Sequence, residues 1–208
     1  LDRWRHLRVP FVIWDRGNGE AVAMETVLQS DELYRGRKIG LRVDRVRMAD
    51  GRETTREVVF HPGAVAIVPL LPDGRVIMIR QYRHATGEVL LELPAGTRDQ
   101  PGEAPADTAA RELIEETGYR AGRVVHLADF YTAPGFCDEL MSLYLATDLA
   151  PGDQNLMDDE AIGVEALTLD AAHALVADGT IRDAKTIVGL FLARERVGTE
   201  CRVPGAEG

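Results

Sequence analysis

The segment from Gly96 to Tyr119 restricts this chain more than any other part of it. Its central run is Arg111-Glu112-Leu113-Ile114-Glu115-Glu116-Thr117-Gly118. Pro94, Gly96, Pro101 and Gly102 come before it and predict a stiff, turning loop. With Ala106 set at zero and about 100° per residue, Ala110, Leu113 and Thr117 fall within about 40° of it. Glu112, Glu115 and Glu116 fall between about 180° and 280°. The pattern predicts a helix that packs on one face and carries acid on the other, closed by Gly118 in a left-handed C-cap. Carboxylates at i, i+3 and i+4 repel by roughly 0.2–0.5 kcal/mol per pair on an exposed helix. A divalent cation reverses that sign, because hard cations take oxygen from carboxylates and phosphates. An acidic solvated face accounts for Glu-x-x-Glu-Glu alone. The loop–helix–glycine setting points instead to metal-assisted attack on a phosphate compound.

Composition limits the remaining choices. The 208 residues, 45% of them apolar, suit one large domain or a domain with an appendage. The longest near-continuous apolar run, Ala64 to Leu71, is eight residues and too short to span a bilayer. No apolar signal region is visible at Leu1-Asp2-Arg3-Trp4, and Cys137 and Cys201 have neither metal-ligand spacing nor a disulfide framework. A cytoplasmic protein is expected. The net charge of −10 argues against nucleic-acid or membrane partners. It is unevenly spread: residues 1–60 carry 12 Lys and Arg against 10 Asp and Glu, residues 61–208 carry 12 against 24.

Periodicity predicts an α+β arrangement. Lys38 to Met48 partly alternates, with Ile39, Leu41, Val43 and Val46 as its apolar set. Asp50-Gly51 signals a hairpin turn, and Thr54 to Phe60 reads as the returning strand. Strands are predicted over 64–70, 75–82, 88–93, 124–131, 140–147 and 163–169. Helices are predicted over 170–178 and 183–197, with Asp170 and Asp183 as N-caps. Ala184, Ile187, Val188, Phe191 and Leu192 form the expected packing face of the last helix. Residues from Gly198 read as a tail.

Two segments outside the acidic helix extend the chemistry. Arg83, at the end of Ile79-Arg80-Gln81-Tyr82-Arg83, precedes the Pro94–Gly96 loop by a short strand, and a guanidinium there can hold a diphosphate bidentately. Tyr131-Thr132-Ala133-Pro134-Gly135-Phe136-Cys137-Asp138-Glu139 sets acidic groups behind a Pro-Gly turn and forms a second wall.

The central segment resembles the Nudix box, Gly-x5-Glu-x7-Arg-Glu-U-x-Glu-Glu-x-Gly-U, with U a bulky apolar residue. Seven residues separate Glu103 from Arg111 as the pattern requires, and Arg111 to Tyr119 fits throughout. One departure exists: six residues, not five, separate Gly96 from Glu103, the extra one in the Asp-Gln-Pro-Gly turn. From about Leu33 to Val197 the chain also resembles the ADP-ribose pyrophosphatase branch of that superfamily. The resemblance includes a Leu-Pro-Ala-Gly lead-in, Pro134, the Pro-Gly-Phe-x-Asp-Glu loop and Asp158-Asp159-Glu160 before Ala161-Ile162-Gly163-Val164.

The resemblance implies a Nudix-like α/β/α sandwich with a mixed sheet over residues 61–198. It also implies an N-terminal antiparallel strand extension over residues 1–60 that serves dimerisation, and a flexible tail over 199–208. The Ala95 carbonyl, Glu112, Glu116 and Glu160 look like metal ligands for Mg2+, with Mn2+ able to substitute. Glu160, Glu139 and Glu115 match catalytic carboxylates, Glu160 on a mobile loop. Arg56, Glu57 and Arg83 match substrate-binding positions, Arg56 and Glu57 reaching a partner subunit's site. The implied partner is a nucleoside diphosphate sugar, cleaved by a homodimer; ADP-ribose would yield AMP and ribose 5-phosphate. GDP-mannose or a broader set of nucleotide sugars is an alternative substrate. A catalytically silent domain that senses ADP-ribose-like ligands is another, although every box carboxylate is present.

Overall fold

The computed structural model describes residues 12–14, 21–156 and 161–200, with side chains over 24–156 and 161–197. The chain divides into two units: residues 1–61 with 133–139, and residues 62–132 with 140–208.

In the first unit, β1 (Val12–Trp14) and β2 (Ala21–Ala23) form an antiparallel pair. The longer strands β3 (Glu25–Arg35), β4 (Gly40–Met48) and β5 (Glu53–Phe60) form an antiparallel sheet in that order. The turn at Asp50-Gly51 is present, with Gly51 at φ 86°. Strand β3 was not legible in the sequence, since none of its residues is buried and two bulges break its alternation. The expected apolar set of β4 is also corrected. Gly40, Asp44 and Val46 are the buried positions, whereas Ile39, just before the strand, is exposed. Alternation puts Leu41 and Val43 on the opposite face from Val46. Residues 133–139 belong here because Val59 N–H donates to Phe136 O at 2.8 Å and Asp138 N–H to Val59 O at 3.1 Å.

The second unit is built around β6 (Ala64–Pro69), the apolar run seen in sequence, every residue of which is buried. It pairs parallel with β11 (Leu140–Ala150) and antiparallel with the short β9 (Ala95–Thr97). β10 (Arg120–Tyr131) completes the mixed sheet in the order β10-β11-β6-β9. A second, antiparallel sheet has the order β12-β7-β8, from β7 (Arg75–Arg83), β8 (Glu88–Glu92) and β12 (Ile162–Thr168).

Because successive strand residues face opposite ways, β6 supplies two cores. Ala64, Ala66 and Val68 join Val76, Met78, Leu91, Leu143 and Leu190 on one side. Val65 and Ile67 join Ala109, Leu113 and Tyr144 on the other. Helix α1 (Pro105–Thr117) covers the second side, and α2 (Leu169–Ala177) and α3 (Ala184–Glu200) pack on the first. This is the α+β sandwich with a mixed sheet expected from the sequence. The N-cap of α2 is Thr168, which accepts Ala171 N–H at 3.2 Å, rather than Asp170. Asp183 does cap α3, accepting Thr186 N–H at 3.0 Å. Of the expected packing face of α3, Ile187, Val188 and Leu192 pack on the core, whereas Ala184 and Phe191 are exposed and Thr186, Leu190 and Ala193 are the buried positions. Among the described residues no helix is long and apolar enough to cross a membrane.

Candidate active site

Helix α1 starts with Pro105, whose fixed φ suits a first turn. It ends at Gly118, with φ 76° and its N–H bonded to Ile114 O at 2.8 Å. The Gly118 cap matches the sequence reading, and so does the burial of Leu113 and Thr117; the rest of the packing face does not. The buried positions are Thr108, Ala109, Leu113, Glu116 and Thr117, and Ala106 is exposed. The packing face is therefore rotated toward the acids, and Glu116 is only 3% exposed. A carboxylate held this far from water must be matched by donors or by a cation.

The loop ahead of the helix supplies some of that match. Its first residues form β9 instead of a free turn, in register Ala66–Ala95 and Val65–Gly96 with β6. Ala95 N–H donates to Glu116 Oε2 at 2.9 Å, tying the loop to the end of the helix. Gly96 lies directly against Glu112, whose carboxylate occupies the space a β-carbon would need. The extra residue of the loop is taken up in the turn where Glu103 N–H meets Gln100 O at 3.3 Å and Gly102 has φ 84°. Glu103 still reaches the helix, accepting Thr108 Oγ1 at 2.8 Å and Arg111 Nε at 3.1 Å.

Arg111 is the centre of the acid face. Its Nη1 donates to Glu112 Oε1 at 2.8 Å and to Glu115 Oε2 at 2.9 Å, while Nε and Nη2 hold Glu103. One guanidinium thus serves three carboxylates and keeps them within reach of each other. The Glu103 hydrogen bond foremost, and the three acids together, hold Arg111 firmly protonated. Burial pushes the Glu112 carboxyl above its ordinary value; Arg111 opposes this, and Glu115 and Asp99 reinforce it.

Arg83 sits in a second ionic group. Its Nε and Nη2 fork the carboxylate of Glu92 at 2.9 and 2.6 Å, and Glu92 is 1% exposed. Lys185 of α3 bonds the same carboxylate and lies 2.9 Å from Asp183. The fork expected to grip a diphosphate is thus already committed to Glu92, leaving Nη1 for a ligand. The Glu92 hydrogen bond is the main cause that keeps Arg83 charged, and Glu116 adds to it. Sequence reading missed Glu92 and Lys185, because β8 and α3 were read only for their apolar positions.

The remaining expected residues fall elsewhere. Arg56 and Glu57 are exposed neighbours on β5 and point to opposite faces of the first unit's sheet. Arg56 pairs with Glu25. Glu139 follows the strapped 133–139 segment, with its Oε1 3.7 Å from His61 Nδ1. Asp138 Oδ1 accepts His61 N–H at 2.8 Å. Glu160 lies outside the described residues. The stretch leading to it, expected to be mobile, is fastened at its start: Gln154 Nε2 donates to Glu116 O at 2.5 Å and Asn155 N–H to Glu115 O at 3.0 Å. These two residues satisfy last-turn carbonyls of α1.

A family model described as NUDIX domain matches residues 60–188, more than half of the chain. The chain belongs to the Nudix family. A second model, nucleoside diphosphate sugar hydrolase N-terminal domain, matches residues 25–59, a region the sequence reading used only from Leu33 onward. ADP-ribose pyrophosphatase of Bacillus subtilis (strain 168) is 38% identical over 78% of this chain and 88% of its own length. The ADP-ribose pyrophosphatase of Mycobacterium tuberculosis (strain ATCC 25618 / H37Rv) is 52% identical over 59% of each chain. A solved structure described as an ADP compounds hydrolase superposes with TM-score 0.78 at 28% identity, covering 88% of this chain and all of that one.

Nudix hydrolases use divalent metal ions, and the donor chemistry of this Nudix site fits one. Ala95 O, Glu112 and Glu116 offer oxygen alone, the preference of a hard cation. Burial disfavours the charged form of Glu112, and a nearby cation would favour it. Among the described residues no three acidic, histidine or cysteine side chains already converge as a ligand set. Arg111 draws Glu112 and Glu115 to itself, so a cation competes with that guanidinium.

Proposed function

We propose that this Nudix hydrolase is a cytoplasmic, Mg2+-dependent ADP-ribose pyrophosphatase that splits ADP-ribose into AMP and ribose 5-phosphate. The observation that carries the reading is the match to a relative named ADP-ribose pyrophosphatase over 78% of this chain. The intact acid face of α1 supports it. Ala95, Glu112, Glu116 and Glu160 would hold the metal, which when bound neutralises diphosphate charge and acidifies water.

The chain's own residues do the rest. Arg83 binds a phosphate oxygen through Nη1. Water attacks one phosphorus, the bond to the bridging oxygen breaks, and the water proton passes to a carboxylate. Glu160 is that carboxylate, with Glu139 and Glu115 assisting. Residues 1–60 form the dimerisation extension, 61–198 the hydrolase domain and 199–208 the tail. Arg56 and Glu57 contact substrate in the partner subunit's site.

The test is incubation with Mg2+ and ADP-ribose, GDP-mannose, NADH or 8-oxo-dGTP, with products separated by chromatography. AMP with ribose 5-phosphate as the fastest-formed products is the expected result. Preferred cleavage of GDP-mannose would move the reading toward relatives such as the GDP-mannose pyrophosphatase of Yersinia enterocolitica, 35% identical over 64% of this chain. Binding of ADP-ribose without cleavage would indicate a sensor.

A further inference from the structure

The run Asp183-Ala184-Lys185-Thr186 opens α3 far along the chain from the acidic helix, yet it reaches the strand that leads into the site. Thr186 is fully buried. Its hydroxyl accepts Leu93 N–H at 2.8 Å and donates to Asp183 Oδ2 at 2.6 Å. Lys185 is 9% exposed and bridges Asp183 and Glu92. Glu92 in turn holds Arg83 by two hydrogen bonds. The four charges form a neutral row, Asp183–Lys185–Glu92–Arg83, open to solvent mainly at Arg83, whose side chain is 35% exposed.

A buried lysine and a buried glutamate are poor investments for stability alone, since apolar residues of like volume serve as well or better. Such a row gives geometry. Lys185 fixes the Glu92 carboxylate, the carboxylate fixes the plane of the Arg83 guanidinium, and Nη1 is then left for a ligand. Behind Glu92, the Glu116 carboxylate of the acid face also favours the charged form of the same guanidinium. Without Lys185, the buried Glu92 and the half-buried Asp183 would set two negative charges against one arginine. The guanidinium would then be more fully neutralised and less well aimed.

We infer that Lys185 is a positioning residue for the diphosphate, acting through Glu92 to hold Arg83 in its binding orientation. The inference rests on the reading of Arg83 as a phosphate contact. It assigns a task to the start of α3, which the sequence showed only as a helix.

The test is steady-state kinetics of the full chain with ADP-ribose at saturating Mg2+, for Lys185→Met, Arg83→Lys and the double variant. Arg83→Lys keeps the charge and loses the fork, so KM should rise about 10-fold, the low end for a charge-assisted hydrogen bond. Lys185→Met should raise KM by a similar factor with a smaller change in kcat, and the double variant should be no worse than Arg83→Lys. Lys185→Gln, which still offers Glu92 a donor, should fall between Lys185→Met and the parent, and it carries the test if Lys185→Met does not accumulate folded. An unchanged KM in Arg83→Lys sinks the reading of Arg83 itself. A raised KM there, with an unchanged KM in Lys185→Met, sinks only the positioning role. Single-variant factors that multiply in the double variant show Lys185 acting independently of Arg83 and also overturn it.

Discussion

The carboxylate of Glu112 rests against the α-carbon of Gly96, in space that any other residue's β-carbon would fill. The loop and the acid face are therefore fitted to each other at one contact. Glycine is needed at 96 for close approach, not for an unusual backbone angle.

Gly96→Ala should displace Glu112 and lower kcat/KM by about 100-fold or more, the scale on which a small misplacement of a reacting group acts. Gly102→Ala is the control. Gly102 has φ 84° with open space around it, so a methyl there costs about 1–2 kcal/mol of backbone strain and leaves turnover alone. Kinetics and thermal melts of both variants separate the two effects. Equal activity in the two variants would show that the contact with Glu112 is dispensable.

Glu116→Gln should keep the fold, since an amide oxygen can still accept Ala95 N–H, which Glu116 Oε2 now holds at 2.9 Å. Turnover should drop by about three orders of magnitude, as is usual for removing a preorganised charge-stabilising group. Near-normal rates in this variant at limiting Mg2+ would reject the metal assignment.

Acid should silence the site before it unfolds the protein. Burial first, with Glu115 and Asp99 behind it, raises the Glu112 carboxyl, so Glu112 takes up a proton above the ordinary glutamate range. Its protonation favours folding and opposes metal binding. Glu92 is shifted the other way: burial pushes it up, but the Arg83 hydrogen bond and the charges of Lys185 and Arg83 outweigh that and lower it. The stability Glu92 contributes is present above its unfolded value of about 4.3 and is lost only as pH falls through the lower folded value. Activity and circular dichroism followed together from about pH 7 to pH 3 should show an interval of folded, inactive protein. Raising Mg2+ should move the activity limb to lower pH, because metal and proton compete for Glu112. Coincident loss of activity and fold would contradict this ordering.

The first unit's edge strand β3 leaves Val27, Leu33 and Tyr34 exposed, and Ile39 beyond it is exposed as well. Apolar area on an edge strand is normally covered. Light scattering at micromolar concentration should therefore give about twice the 22.8 kDa chain mass. A mass near 22.8 kDa would remove the dimer and with it Arg56 as a residue acting across subunits.

The legible parts of this structure were those with a one-dimensional signature. Leu113, Gly118 and the buried run of β6 follow from periodicity and capping. Strand β3 does not, since exposure on both faces leaves no alternation and its bulges reset the register. The burial of Glu116 was hidden for a different reason. Helical angle sorts residues by face, but the edge between faces depends on how α1 lies on β6, a tertiary fact. Lys185 and Glu92 were hidden because a buried ion pair looks in sequence like two surface charges, here 93 positions apart. Gln154 and Asn155 are polar residues in a polar loop, and only their partners on α1 reveal them as caps.

The last expectation separates the two candidate bases. Glu139 is fixed by its neighbours: Asp138 accepts His61 N–H at 2.8 Å, and the preceding residues are strapped to Val59. A carboxylate held this way suits orientation of water or metal. Glu160 follows the polar stretch Gly152 to Asp159, and a carboxylate in such a loop suits a group that completes the site once substrate is bound. Glu160→Gln should therefore depress kcat more than KM. Asp138→Ala should reproduce part of the Glu139→Gln defect by loosening the strap, and Asp138→Asn, which keeps an acceptor for His61 N–H, should restore it. If Glu160→Gln kept the parent kcat while Glu139→Gln abolished turnover, the proton would pass to Glu139, and the strap at Asp138 would become the means by which the base is aimed.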